Sequence, residues 1–277
     1  MKNLKLKPLF VATGLAMAMG LATSAFASPA FTFDTTGSGN TSGAGTFVAD
    51  FINGSSTELL HANTGTNTLT ATSGYLTYSG FTLSGSPVLG TNINNTYQLY
   101  VTFDLVAQLT SGTLGASGSD YSLTALNFNM WLDPNLDTTF TAASANTNTE
   151  ASVTPGIADI LLASGDITGL TPSPLNVAGI NSAGGAFLNA FTNFALTATG
   201  SSYFTQPVPF FNLTFDEFNN TTQGVQNLCT PLINGCLVSI QNASGGTDFT
   251  TVPEPASLAL MGLGLVGMGV SMRRRKS

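Results

Sequence analysis

Apolar and polar residues alternate along much of this chain with a period of two. Tyr97, Leu99, Val101, Phe103 and Leu105 form one apolar face, opposed by Gln98, Tyr100, Thr102, Asp104 and Val106. Leu126, Phe128, Met130 and Leu132 repeat the pattern against Asn127, Asn129, Trp131 and Asp133. Successive side chains of a strand point to opposite faces, so each run reads as a half-buried β-strand. Shorter strands are predicted at 31–33, 46–51, 68–71, 75–83, 194–198, 210–215 and 237–240, separated by Gly, Asn and Ser clusters that favour turns. Helical spacing is confined to 157–163 and to Phe187, Ala190, Phe191 and Phe194 within 185–194. Many short strands with turn signals between them predict an all-β fold, a single antiparallel β-sandwich-like domain. The Ala, Thr, Asn and Ser-rich stretch 141–154 reads as a long loop, and no internal repeat is detected.

Charge changes this picture at the two ends. The chain has 277 residues and only seven Lys or Arg, placed at Lys2, Lys5, Lys7, Arg273, Arg274, Arg275 and Lys276. Between Ser28 and Pro255 there is none, whereas all fourteen acidic residues lie there. Such a body repels phosphate backbones, which argues against a nucleic-acid partner. Its stability has to come from packing, backbone hydrogen bonds and any disulfide rather than from Lys or Arg ion pairs.

The first 27 residues read as a signal peptide: a basic start, an apolar run over 8–21, and the small-x-small site Ala25-Phe26-Ala27 that signal peptidase recognises. Residues 28–243 then form the exported β-rich domain, and 244–252 a polar tether. Ala256 to Met272 carries no charge and is just long enough for a transmembrane helix, with Arg273, Arg274, Arg275 and Lys276 held on the cytoplasmic side and the body outside.

Immediately before that span stands Pro253-Glu254-Pro255. Pro-Glu-Pro, a short apolar helix and a basic cluster, in this order over 253–277, resemble the PEP-CTERM sorting signal. The resemblance implies an exosortase that removes the helix, a Gram-negative bacterium that makes exopolysaccharide, transient anchoring in the inner membrane, and a product at the cell surface or in the extracellular matrix. Pro209-Phe210-Phe211-Asn212-Leu213, the segment Phe215 to Thr221 and the aromatic patches of 74–140 are similar to flocculation-associated PEP-CTERM proteins. That similarity implies a role in flocculation or biofilm formation.

Cys229 and Cys236 bracket a loop with the turn signal Asn234-Gly235. In an oxidising compartment cysteines this close are expected to form a disulfide, since the spacing matches no redox motif and the one His is distant. Asp133, Asn135 and Asp137 alternate like the opening of a calcium loop, but Thr138 and Ser144 replace the Gly and Glu that an EF-hand needs. A turn closing the Trp131 strand and a looser calcium site both remain open. His61 has Glu58 three residues before it and no nucleophile-elbow sequence to serve. Asp216 and Glu217 are adjacent and should face opposite ways. The glycine pattern at 262–267 lies in the apolar span and is no nucleotide loop. Asn40, Asn53, Asn212 and Asn242 head glycosylation-type triplets. Tyr100 and Trp131 fall on polar strand faces, where a sugar could stack or a second sheet could bury them.

No catalytic residue, metal ligand or cofactor site is assigned from these features. The expectation is a non-enzymatic surface or matrix protein, with exosortase, signal peptidase and matrix polysaccharide as partners. The alternative is a secreted carbohydrate-binding module or glycan-active enzyme.

Overall fold

The computed structural model describes residues 28–40, 43–167, 176–180, 185–220 and 225–250. The expected signal peptide with Ala25 and Ala27, the Pro253-Glu254-Pro255 motif, the span 256–272 and the cluster Arg273 to Lys276 lie outside them. Among the described residues no helix is long and apolar enough to cross a membrane.

The described residues fold mostly as strands: β1 (Phe31–Asp34), β2 (Thr46–Ala49), β3 (Phe51–Asn63), β4 (Thr68–Leu83), β5 (Ser86–Pro87), β6 (Gln98–Ser111) and β7 (Ser119–Asp133). Then come β8 (Thr139–Thr141), β9 (Ser152–Thr154), β10 (Ile160–Asp166), β11 (Val177–Ile180), β12 (Ala186–Asn193) and β13 (Ala195–Leu196). A short helix, α1 (Gly200–Tyr203), precedes β14 (Phe204–Gln206), β15 (Leu213–Asn220), β16 (Val225–Asn227) and β17 (Leu237–Thr250).

The large sheet is antiparallel and runs β11-β12-β15-β17-β3-β4-β6-β7, and β11 also pairs with β7. Those eight strands therefore form a closed ring. The expected all-β, antiparallel character is present, but the sandwich gives way to one barrel, because Val177–Ile180 hydrogen-bonds Asn189–Ala186 on one side and Ser122–Ser119 on the other. Eight strands leave an interior that side chains can fill. Leu60, Leu76, Val101, Leu105, Leu126 and Met130 supply much of that filling.

Two expected helices are strands. Residues 186–193 alternate in burial and pair with β15 over their whole length, and 160–166 pair with β7. The expected tether is also replaced: Ser244 to Thr250 belongs to β17, paired with β15 from Ser244↔Asn219 to Thr250↔Leu213.

One end of the barrel is plugged by aromatic rings. The small sheet β14-β1-β2 lies there, and Phe249 packs against Phe31 and Phe194 at 4.9 Å, Phe210 at 5.2 Å and Phe204 at 5.5 Å. Edge-on contacts of this kind suit the ring quadrupole. Both ends of the described chain meet here, since Ser28 Oγ donates to Asp248 Oδ2.

The stretch 141–154 is a folded flap rather than an open loop. β8 and β9 pair from Thr139↔Thr154 to Thr141↔Ser152. The segment covers an outward-facing second core in which Leu59, Tyr75 and Leu237 meet Ala143, Ala145 and Ala151, with Phe140 packed against it. The alternation of β3 thus serves two cores: Glu58, Leu60 and Ala62 face inward, and Leu59 and His61 face the flap.

Candidate functional site

The disulfide forms between Cys229 and Cys236, both buried, with Cα atoms 5.1 Å apart. Gly235 turns the loop with φ +76°, and its N–H donates to Ala62 O at 2.7 Å while Ala62 N–H donates to Cys236 O at 2.9 Å. The bridge fastens a loop onto the end of β3 opposite the aromatic plug.

His61 turns away from Glu58. Its Nε2 lies 2.6 Å from Glu150 Oε1 on the flap, while Glu58 points into the barrel. The only imidazole of the chain is a fastening between flap and barrel, its Nε2 taken up by Glu150.

The interior holds acids that the alternation alone did not reveal. Glu58 is 4% exposed and lines a cavity of about 50 Å³ among Leu76, Val101, Met130 and Phe218. Burial pushes its pKa up to about 8, offset in part by a hydrogen bond from Ser56, and its Oε2 has no hydrogen-bond partner among the described residues. Asp216 lines the same cavity and accepts hydrogen bonds from Thr247 Oγ1 at 2.5 Å and Thr214 Oγ1 at 3.1 Å. Burial raises its pKa to about 6 against those bonds. Tyr78 OH lies 2.8 Å from Thr247 Oγ1, and burial together with Asp216 lifts its pKa well above the ordinary phenol value. As the strand period requires, Glu217 faces outward. The signal in sequence is the phase of Glu58 with Leu60 and Ala62.

Asp133 closes β7 as a turn. Its Oδ1 accepts from the N–H groups of Asn135 and Leu136 at 2.8 and 2.9 Å, and its Oδ2 from Thr138 N–H at 2.9 Å and Gln98 Nε2 at 2.8 Å. Burial raises its pKa, but these donors outweigh burial and hold it below the usual carboxylate value. Asp159, which the sequence pattern did not include, joins Asp133 and Asp137 with carboxylate oxygens within 4.8 Å of one another. Calcium takes six to eight oxygens, more than three carboxylates supply through one oxygen each, and both oxygens of Asp133 are already committed to hydrogen bonds. Asp159 in turn accepts from Tyr100 OH at 2.6 Å and Thr138 Oγ1 at 2.8 Å.

The two aromatics proposed for stacking have different fates. Tyr100 is 1% exposed, covered by Phe140 of the small β8-β9 sheet of the flap. Trp131 is half-buried, stacked beside Tyr100 at 6.4 Å, with Nε1 3.3 Å from Thr102 Oγ1. Next to it runs an open groove of about 340 Å³ between the flap and the outer barrel wall. Its floor carries the cross-strand rungs Thr102↔Asn129 and Asp104↔Asn127, and Ser152 stands on the flap side. Of the glycosylation-type residues, Asn40 is fully buried and donates to Thr35 O at 2.6 Å.

A comparison with protein families matches residues 251–276 to the PEP-CTERM protein-sorting motif. No curated protein and no solved structure matches the chain. The chain thus carries the C-terminal signal of exosortase substrates and is an exported, surface-directed protein.

Proposed function

We propose that this barrel is a non-enzymatic component of the cell surface or extracellular matrix of a Gram-negative bacterium, and that it promotes aggregation of cells through exopolysaccharide. After signal-peptide removal the precursor is held in the inner membrane by 256–272 until exosortase releases it. The observation that carries this reading is the meeting of the two ends at Ser28 and Asp248. A sorting signal following Thr250 leaves from the aromatic-plugged end, so the groove wall and the disulfide end are free to face outward.

The non-enzymatic part rests on where Glu58 and Asp216 lie, two of the three acids that burial shifts upward; the third, Asp248, is bonded to Ser28. Glu58 and Asp216 share a cavity of about 50 Å³, roughly a third of the ~150 Å³ that an apolar cavity holding benzene provides. A sugar ring does not reach them there.

The test is deletion of the gene in the producing strain, scored by flocculation and by matrix polysaccharide content. Loss of aggregation with polysaccharide still secreted supports the reading. Unchanged aggregation, or shortening of polysaccharide chains by the purified protein, overturns it.

A further inference from the structure

We propose that the groove beside Trp131 is a binding site for uncharged or amino-substituted polysaccharide, and that it rejects anionic polymers. This rests on the surface-matrix reading above and deepens it by naming the site and the ligand class.

Three observations converge. First, the groove is large enough, at about 340 Å³, for a few sugar units. Second, its floor offers hydroxyl, amide and carboxylate groups in fixed register. Thr102 faces Asn129 and Asp104 faces Asn127 across neighbouring strands, with Asn127 Nδ2 donating to Asp104 Oδ2 at 2.8 Å. Paired donors and acceptors on a rigid sheet suit the adjacent hydroxyls of a pyranose, and the flap with Ser152 supplies a second wall. Third, Trp131 stands on the next rung of the same two strands, its ring direction fixed by Tyr100 and by the bond to Thr102. The indole stands outside the groove lining and borders it through Thr102, so a half-buried ring of fixed orientation extends the floor by an amphipathic platform for a sugar face.

Charge then selects among glycans. No Lys or Arg occurs between residues 28 and 250, so nothing in the folded body neutralises a uronate or sulfate, and Asp104 stands on the floor itself. A negative field repels polyanions and favours an ammonium group. A neutral chain is unaffected by either term and is read by hydrogen bonds and stacking alone.

The experiment uses the full chain purified in detergent, in EDTA so that no divalent cation bridges like charges. Dextran, galactomannan, chitosan oligosaccharides, alginate and the polymer secreted by the producing cells are the probes in equilibrium binding. Binding to a neutral or amino glycan is expected, with none to alginate. Trp131→Ala should weaken it about tenfold or more, and Trp131→Phe should retain part of the affinity. Should Trp131→Ala fold poorly, Asn127→Ala tests the same floor without disturbing the ring. Preference for alginate, no binding to any neutral or amino glycan, binding of a peptide in place of glycan, or unchanged affinity in Trp131→Ala or Asn127→Ala overturns the proposal. In cells, the deletion strain carrying the Asn127→Ala gene separates the two readings. Full aggregation with this variant refutes the groove and leaves the matrix role standing, whereas unchanged aggregation in the deletion strain refutes the matrix role itself.

Discussion

His61 and Glu150, 2.6 Å apart, join strand β3 to the flap across 89 positions of sequence. Both side chains are about a third or more exposed, at 34% and 40%, so solvent screens the pair and its contribution is about 1 kcal/mol or less. His61→Ala should therefore speed amide hydrogen exchange in 143–153 several-fold while leaving exchange in β6 and β7 unchanged. Equal protection of the flap in both proteins would show that the apolar contacts of Leu59 and Tyr75, with the hydrogen bonds from Ser73 to Ala151 O and from Gln241 to Ala143 O, hold it without the pair.

The buried acids make stability pH-dependent in a direction opposite to that of most carboxylates. Glu58 rises from 4.5 to about 8 and Asp216 from 3.8 to about 6 on folding. Between those limits the folded state holds protons that the unfolded state has released, so the contribution of these two acids is fully present below about pH 4 and is lost as pH rises, whereas Asp133, with its lowered pKa, contributes in the opposite sense at acid pH. For each such proton the slope approaches about 1.4 kcal/mol per pH unit. Thermal melts should show a lower Tm at pH 8 than at pH 5, and Glu58→Gln should flatten the decline above pH 6. A wild-type Tm that climbs over this interval contradicts a neutral Glu58.

Reducing the disulfide removes a clamp on a short loop. The chain-entropy account gives a contribution of about 2 kcal/mol for a loop of this size. Cys229→Ser together with Cys236→Ser should lower the stability by about that amount in denaturant titration without altering the far-ultraviolet spectrum. A spectrum showing lost strand content would mean that the bridge is needed to form the barrel.

Gly245 of β17 stands opposite Phe218 of β15. A Cβ there would stand 1.7 Å from Glu217 O, a backbone atom that no rotamer change can move aside. Gly245→Ala should cost about 2 kcal/mol or more. Gly74→Ala is the informative contrast, because the atoms nearest its Cβ would belong to the ring of Phe103, at 2.4 Å, and a ring can shift. Equal destabilisation by both would show that Phe103 is as immobile as the backbone.

Particular residues show why some of this architecture was legible in sequence. The runs 97–105 and 126–132 each bury one face against the interior, and a strict period of two is the trace of that burial. Closure into a barrel left no such trace, because it rests on four residues, Val177 to Ile180, pairing on both sides. β3 was missed beyond Phe51, since with both faces covered around Ser56 to Leu60 its sequence does not alternate cleanly. The spacing of Phe187, Ala190 and Phe191 fits a helix as well as a strand, and pairing with β15 decided between them. Of the candidate site, Trp131 was legible as an aromatic on a polar face. The groove was not, because the flap that walls it comes from a segment of Ala, Thr, Asn and Ser with no pattern to read.

The placement of β17 has a mechanical consequence. This strand ends at Thr250, beside the point where the sorting signal begins, and it is hydrogen-bonded to β3 on one side and to β16 and β15 in turn on the other. Traction applied at its C-terminal end runs along the strand axis, at right angles to those bonds. Many bonds then share the load in shear instead of opening one after another. A load applied through the sorting-signal end would therefore meet β17 in the direction in which its ladder resists most.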